Sequence, residues 1–333
     1  MQTSVHIIFA ALFAAACAAP PVALAAQAAP SANVTSGKSA GKSWTAPKAP
    51  DGHPDLQGIW DFKTLTPMER PAEFADKATL TGAEAAEWAK KAREGRLVDG
   101  RGTNEGGALA DLNRSYNDFW RDFGTTALTR TSLIIDPPNG KMPPLTAEAQ
   151  TRARRPRIAE NPEELGVAAR CLLGFNEGPP MFPGNYNNYM QLVQTRDYVM
   201  IQTEMVHDAR SIPLDGRPFT SVRQWKGESR GHWEGETLVI ETKNFLGETA
   251  FPRSSANLHV IERFSLSGPN TLVYQFMVDD PTTWTKPWTA EFPMTRTEEQ
   301  IYEFACHEGN EAMVGVLKGA RADEKRGAAQ VQR

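Results

Sequence analysis

Formal charge is missing from the first 25 residues of this 333-residue chain. Val5 to Ala19 is an apolar run interrupted by His6 and Cys17, and small residues close it. Ala23-Leu24-Ala25 fits the small-x-small pattern read by signal peptidase. The run is too short, and too quickly followed by Pro20-Pro21, for a membrane span. No later stretch approaches the ~20 apolar residues a membrane helix needs. The expectation is export to the periplasm or medium with residues 1–25 removed, although the usual Lys or Arg near the start is absent. Cys17 is a poor lipidation site, because Ala14 stands where a large aliphatic residue is expected, so a lipoprotein is the lesser reading.

Basic excess is also lacking. The net charge is −4, and removing an uncharged leader leaves it there. A chain without surplus cations has little means of neutralising phosphates, which argues against nucleic acid. There is no G-x-G-x-x-G and no Walker loop, so no nucleotide cofactor is expected. The α/β alternation that carries a G-x-S-x-G nucleophile elbow is absent, which argues against a serine hydrolase. HExxH, a three-His set and CxxC spacing are absent too, so no metal site is expected. Cysteine is scarce. Beyond Cys17 there are Cys171 and Cys306, and in an oxidising compartment an even pair points to a disulfide. The alternative is two buried thiols acting as small apolar groups.

Large apolar residues are nearly absent from 26 to 50, which reads as a disordered linker. The segment 51–185 looks irregular. Thr81-Gly-Ala-Glu84 is a capping box that opens a helix through about Arg93. Gly95 to Gly107 reads as a loop, and a second, shorter helix follows Thr146. The basic stretch Thr151–Arg157 reads as solvated surface.

From 186 to about 307 the pattern changes to alternation of apolar and polar residues between tight turns, which predicts antiparallel strands. These are Met190–Thr195, Tyr198–Val206, Arg210–Leu214, Thr237–Phe245, Leu258–Leu266, Thr271–Val278, Trp288–Met294 and Ile301–Cys306. The expected fold is mainly β, a meander closed into a barrel or packed as a sandwich, with a few peripheral helices. A helix from about Asn310 to Lys318 should cap it, and 321–333 should be a flexible tail.

Within such strands the informative residues are polar ones on an apolar face. Glu262 shares a face with Leu258, Val260, Phe264 and Leu266. His207 continues the face of Val199, Ile201 and Met205, and Asp280 continues that of Leu272, Tyr274, Phe276 and Val278. Arg210 is in register with Ile212 and Leu214. A buried carboxylate needs a partner. Glu262 therefore pairs structurally with Arg210, Arg230 or Arg263, or it belongs to a polar cluster in a cavity. In the second case His207 or Glu262 moves a proton and Arg210 or Arg230 holds an oxygen. His232 and Glu234 share a strand face at a spacing a metal could use, though a hydrogen-bonded role beside the hairpin turn is the simpler reading. Trp284 and Trp288, following Asp279-Asp280, either stack on a flat ligand or a sugar, or fill the core.

Ala49–Trp60, Tyr116–Trp120, Ser132–Thr146, His207–Arg217, Arg230–Thr237, Val278–Thr289 and Tyr302–Asn310 together resemble a family of uncharacterised exported bacterial proteins. The resemblance runs from about 49 to 322 and implies one structural unit without implying a reaction. Gly58-Ile-Trp60 is similar to the G-x-W that opens lipocalin barrels, which implies a lipocalin-like ligand pocket by analogy. The helical insertion after Trp60 departs from that pattern.

The leading expectation is a β-barrel-like protein that binds a small, partly apolar molecule in an internal cavity, with Asp280, Arg230, His232, Trp284 and Trp288 as candidate contacts. Two alternatives accompany it. One is a cofactor-free isomerase, lyase or hydrolase using His207 and Glu262 with an arginine. The other is a glycan-binding or structural envelope protein. Oligomeric state leaves no signal in the sequence.

Overall fold

The computed structural model describes residues 44–97, 121–153, 161–247 and 251–331. The leader, Cys17, residues 26–43 of the expected linker, and Tyr116–Trp120 lie outside the described residues. The last part of that linker is not free chain. Ala46 and Ala49 are buried, and Lys48 bridges to Pro54.

Ten strands form one antiparallel sheet: β1 Gly58–Asp61, β2 Ile134–Asp136, β3 Tyr189–Gln194, β4 Tyr198–Thr203, β5 Ala209–Pro213, β6 Glu228–Glu234, β7 Thr237–Lys243, β8 His259–Gly268, β9 Thr271–Asp279 and β10 Trp288–Thr297. The order is β5-β4-β3-β1-β10-β9-β8-β7-β6, with β2 pairing on β10. Two meanders, β3 to β5 and β6 to β10, are thus joined through β1, which pairs with both β3 and β10. The segment that reads as irregular thus supplies an inner strand of the sheet. Gly58 is required there. Its φ is +133°, and a Cβ would stand 2.3 Å from Arg296 Nη1. That guanidinium lies over the Trp60 ring and donates to the Gln57 carbonyl.

Period-2 alternation drives the long strands. From Val260 to Phe264 on β8, Leu272 to Val278 on β9 and Trp288 to Met294 on β10, every second residue is buried. Register sets Phe264 opposite Tyr274 and Val260 opposite Val278. Trp60, Trp288, Tyr274, Phe264, Phe276 and Phe292 are among the largest fully buried side chains. Tyr274 packs against Phe264, Phe276 and Phe292, and Trp288 against Phe251, Phe276 and Trp284. Burying rings of this size supplies most of the driving force for the fold.

The sheet does not close. Its edges, β5 and β6, run within 8 Å of each other without a hydrogen-bonded ladder. Side chains occupy the gap: a Cβ on Gly231 of β6 would lie 2.6 Å from Leu214 Cδ2 and 3.1 Å from Ile212 Cγ2. Backbone pairing is therefore replaced by packing along a seam. Nor is the inside of the curl left to strand side chains alone. Asn176 to Met181 is buried, and the Met181 N–H donates to the Tyr274 hydroxyl on the inner face. This irregular segment is a plug.

Among the described residues the α-helices are α1 Gly82–Leu97, α2 Ala147–Ala153 and α3 Glu311–Val331. The Thr81/Glu84 capping box forms as its sequence implies, with reciprocal bonds of 2.8 and 3.2 Å. α3 runs on through the expected tail. It does not cap the sheet, for Val314 and Val316 are exposed. Ile301–Cys306 forms no strand, because it lies beyond the last register pair of β10. A disulfide joins Cys171 to Cys306, whose Cα atoms are 5.6 Å apart. It ties the start of the plug to the segment before α3.

Candidate functional site

Glu262 sits in the middle of β8 and is fully buried, as its face dictates. Arg210, on β5, reaches across the interior to it. Nη1 donates to Oε2 at 2.7 Å and Nη2 to Oε1 at 2.9 Å. The Tyr274 hydroxyl donates to Oε1 at 2.7 Å. Of the three arginines the sequence leaves open as partners, Arg210 takes the role. Arg230 bonds to Glu228 and to backbone carbonyls. Arg263 bonds to Glu234. Burial works to lower the Arg210 pKa, but the Glu262 charge prevails and raises it. Burial, with the Glu262 charge behind it, raises Tyr274 well above its usual range. The two-pronged geometry locks the charge pair, as bidentate Arg–carboxylate contacts do.

The other residues expected beside Glu262 are elsewhere. β4 ends at Thr203, and residues 205–207 form a 3₁₀ turn in which Val206 and His207 have positive φ. The period-2 reading fails at that turn, so His207 is exposed, with Nδ1 3.1 Å from the Phe304 carbonyl. Asp280 is buried but serves a loop. It accepts hydrogen bonds from the Ser255 N–H, the Thr282 N–H and the hydroxyls of Ser255, Thr282 and Thr283. His232 is exposed beside Glu234 at 3.2 Å. Trp284 and Trp288 are buried against each other and present no exposed pair of rings. Among the described residues no group of three or more His, Cys, Asp or Glu is placed to hold a metal ion.

The sequence does hold two literal cues that the α/β argument passes over. One is Gly227-Glu228-Ser229-Arg230-Gly231, which spells G-x-S-x-G. Ser229 lies within β6, hydrogen-bonded to Thr242 Oγ1. It is not on a strand-to-helix turn and lacks that motif's geometry. The second cue is Glu177. From Cys171 to Thr195 it is the single charged residue, and a carboxylate alone in such a stretch goes wherever the stretch goes. Here the part that holds Glu177 is the plug.

A cavity of about 720 Å³ opens at the β5/β6 seam. Arg210 and Asp208 line it from the β5 side, and Arg223, Trp225 and Lys226 from the turn before β6. Lys226 Nζ bonds to Asp208 Oδ2 at 2.9 Å and lies 3.9 Å from Glu177 Oε1. The Glu177 side chain is completely buried. Neither of its oxygens has a hydrogen-bond partner, nor does Arg210 Nε. The Gly174 N–H faces this carboxylate and lowers its pKa, without reaching hydrogen-bond geometry. Burial outweighs that donor and the Lys226 charge, and pushes Glu177 up to about 7. A carboxyl poised near neutrality beside a cavity can take up or release a proton under ordinary conditions. Comparisons with protein-family models, with curated proteins and with solved structures gave no significant match.

Proposed function

We propose that this chain is an exported protein that binds a small anionic molecule with an apolar part in the seam cavity. The observation that carries the reading is the set of polar groups converging there. Four cations, Arg210, Arg223, Lys226 and Arg230, line the cavity against two acids, Asp208 and Glu228. Arg230 is tied to Glu228 and Lys226 to Asp208, while Arg210 is held by Glu262 from within. Arg223 donates to the Phe245 and Ala256 carbonyls and, among the described residues, pairs with no carboxylate, so its charge is left for a ligand. The orphan Arg210 Nε–H is a second donor. Leu172, Leu246 and Trp225 supply apolar wall. The volume falls within the ~300–1,000 Å³ of small-molecule sites.

Export is supported by the leader-like segment at 1–25 and by the Cys171–Cys306 bridge, since such bonds persist in oxidising compartments. Buried rings and the plug occupy the inside of the curl, which favours the seam as the ligand's place. Native mass spectrometry of the mature chain with benzoate and with sulfate tests the binding. A one-to-one complex lost in Arg223→Ala is expected. No complex, or one that Arg223→Ala retains unchanged, overturns the assignment.

A further inference from the structure

Glu177 is an awkward neighbour for an anion. The charged groups acting on it come from three elements: Lys226 from the turn before β6, Asp208 from the residue preceding β5, and Arg210 from β5 itself. Arg210 is already neutralised by Glu262 of β8. The remaining set is one cation facing two carboxylates. With Glu177 ionised this set is net negative, and Lys226 is drawn between Asp208 and Glu177. A second anion would add its charge to that deficit. With Glu177 protonated, the same set is neutral, Lys226 stays paired with Asp208, and an entering anion meets no excess negative charge.

We propose that the seam cavity takes up its anionic ligand together with one proton from solvent, and that the proton goes to the Glu177 carboxyl. The inference rests on the anion-binding reading and adds its regulation. No other bond is made or broken. The geometry supports it independently of titration, because Glu177 is sealed, neither of its oxygens is hydrogen-bonded, and Lys226, 3.9 Å from it, lines the cavity. Its placement near neutrality brings the event within reach of ordinary pH. Because the ligand favours the protonated form, affinity falls as pH rises through that range, by linkage.

Calorimetric titration of the mature chain with benzoate and with sulfate tests this, because neither anion changes charge between pH 6 and 8. Running each titration in two buffers of different ionisation enthalpy counts the protons directly. We expect close to one proton taken up per anion at pH 8. We also expect binding about tenfold weaker at pH 8 than at pH 6. Glu177→Gln should bind with no proton uptake and with affinity independent of pH. Binding by the wild-type chain without proton uptake overturns the inference and leaves anion binding standing. Uptake that persists in Glu177→Gln overturns the assignment to Glu177. If neither anion binds at either pH, the anion-binding reading falls and this inference with it. The proton count on the wild-type chain needs no variant to fold.

Discussion

Replacing Glu177 by glutamine should change the pH dependence of folding in a direction and amount fixed by burial. In the folded chain the carboxyl titrates near 7, against an ordinary value of 4.5. Between those values the folded chain holds a proton that the unfolded chain has released, so wild-type stability falls as pH rises. The loss begins near the unfolded value and is complete above about pH 7. Its full size is about 3 kcal/mol, from ~1.4 kcal/mol for each tenfold change in proton affinity. Glutamine keeps the shape and cannot ionise. Relative to wild type, the variant should therefore gain about 3 kcal/mol between pH 4 and pH 8. With urea slopes of roughly 1–3 kcal/mol per molar, that moves the midpoint difference by at least about 1 M. Urea denaturation at pH 4, 6 and 8, disulfide intact, measures it. Midpoints that stay parallel across the range would refute the claim that Glu177 is a buried carboxyl without a hydrogen bond.

Three further outcomes follow from the packing. Glu262→Gln strands the Arg210 charge in the interior and should cost roughly 3–5 kcal/mol by chemical denaturation, while the apolar pair Arg210→Met with Glu262→Leu should recover most of it. Recovery of nothing would show that the pair does more than satisfy itself. Gly231→Val drives a side chain into Leu214 and Ile212 at the seam, with an expected loss of about 1–3 kcal/mol; an unchanged melting temperature would mean that β5 and β6 are not in contact. Opening the Cys171–Cys306 bridge, which spans 135 residues, should lower stability by up to ~5 kcal/mol in the chain-entropy account. Equal denaturation midpoints for the oxidised chain and the Cys171→Ser, Cys306→Ser double variant would contradict it.

Much of the strand content is legible without coordinates because a half-buried strand writes its burial as alternation. β8 and β9 can be read residue by residue, and Glu262 is exposed as anomalous by the same rule. The rule fails where the backbone stops being extended. At Val206 and His207 the chain turns with positive φ, so the inward face projected through Met205 ends before it reaches His207. Short strands are equally silent. β1 has four residues and β2 three, too few for a period to declare itself, yet β1 holds the two meanders together.

The candidate site was legible only in part. Arg210 and Glu262 advertise themselves by sharing strand faces with apolar residues. Lys226 and Asp208 lie in turns where charge is ordinary, and nothing local marks them. Glu177 carries a faint mark, a single charge in a long uncharged stretch. Its meaning depends on the plug lying inside the curl.

Sequence alone settled what is periodic: the β-rich character, the capped start of α1, and the burial of Glu262. Each of these depends on side chains a few residues apart on one element. Tertiary structure alone decided that the sheet stays open, that an irregular segment fills it, and that Glu177, Lys226, Asp208 and Arg210 meet at the seam. Those outcomes depend on distances between segments remote in the chain. Local periodicity constrains which way a side chain faces, and says nothing of what it will find there.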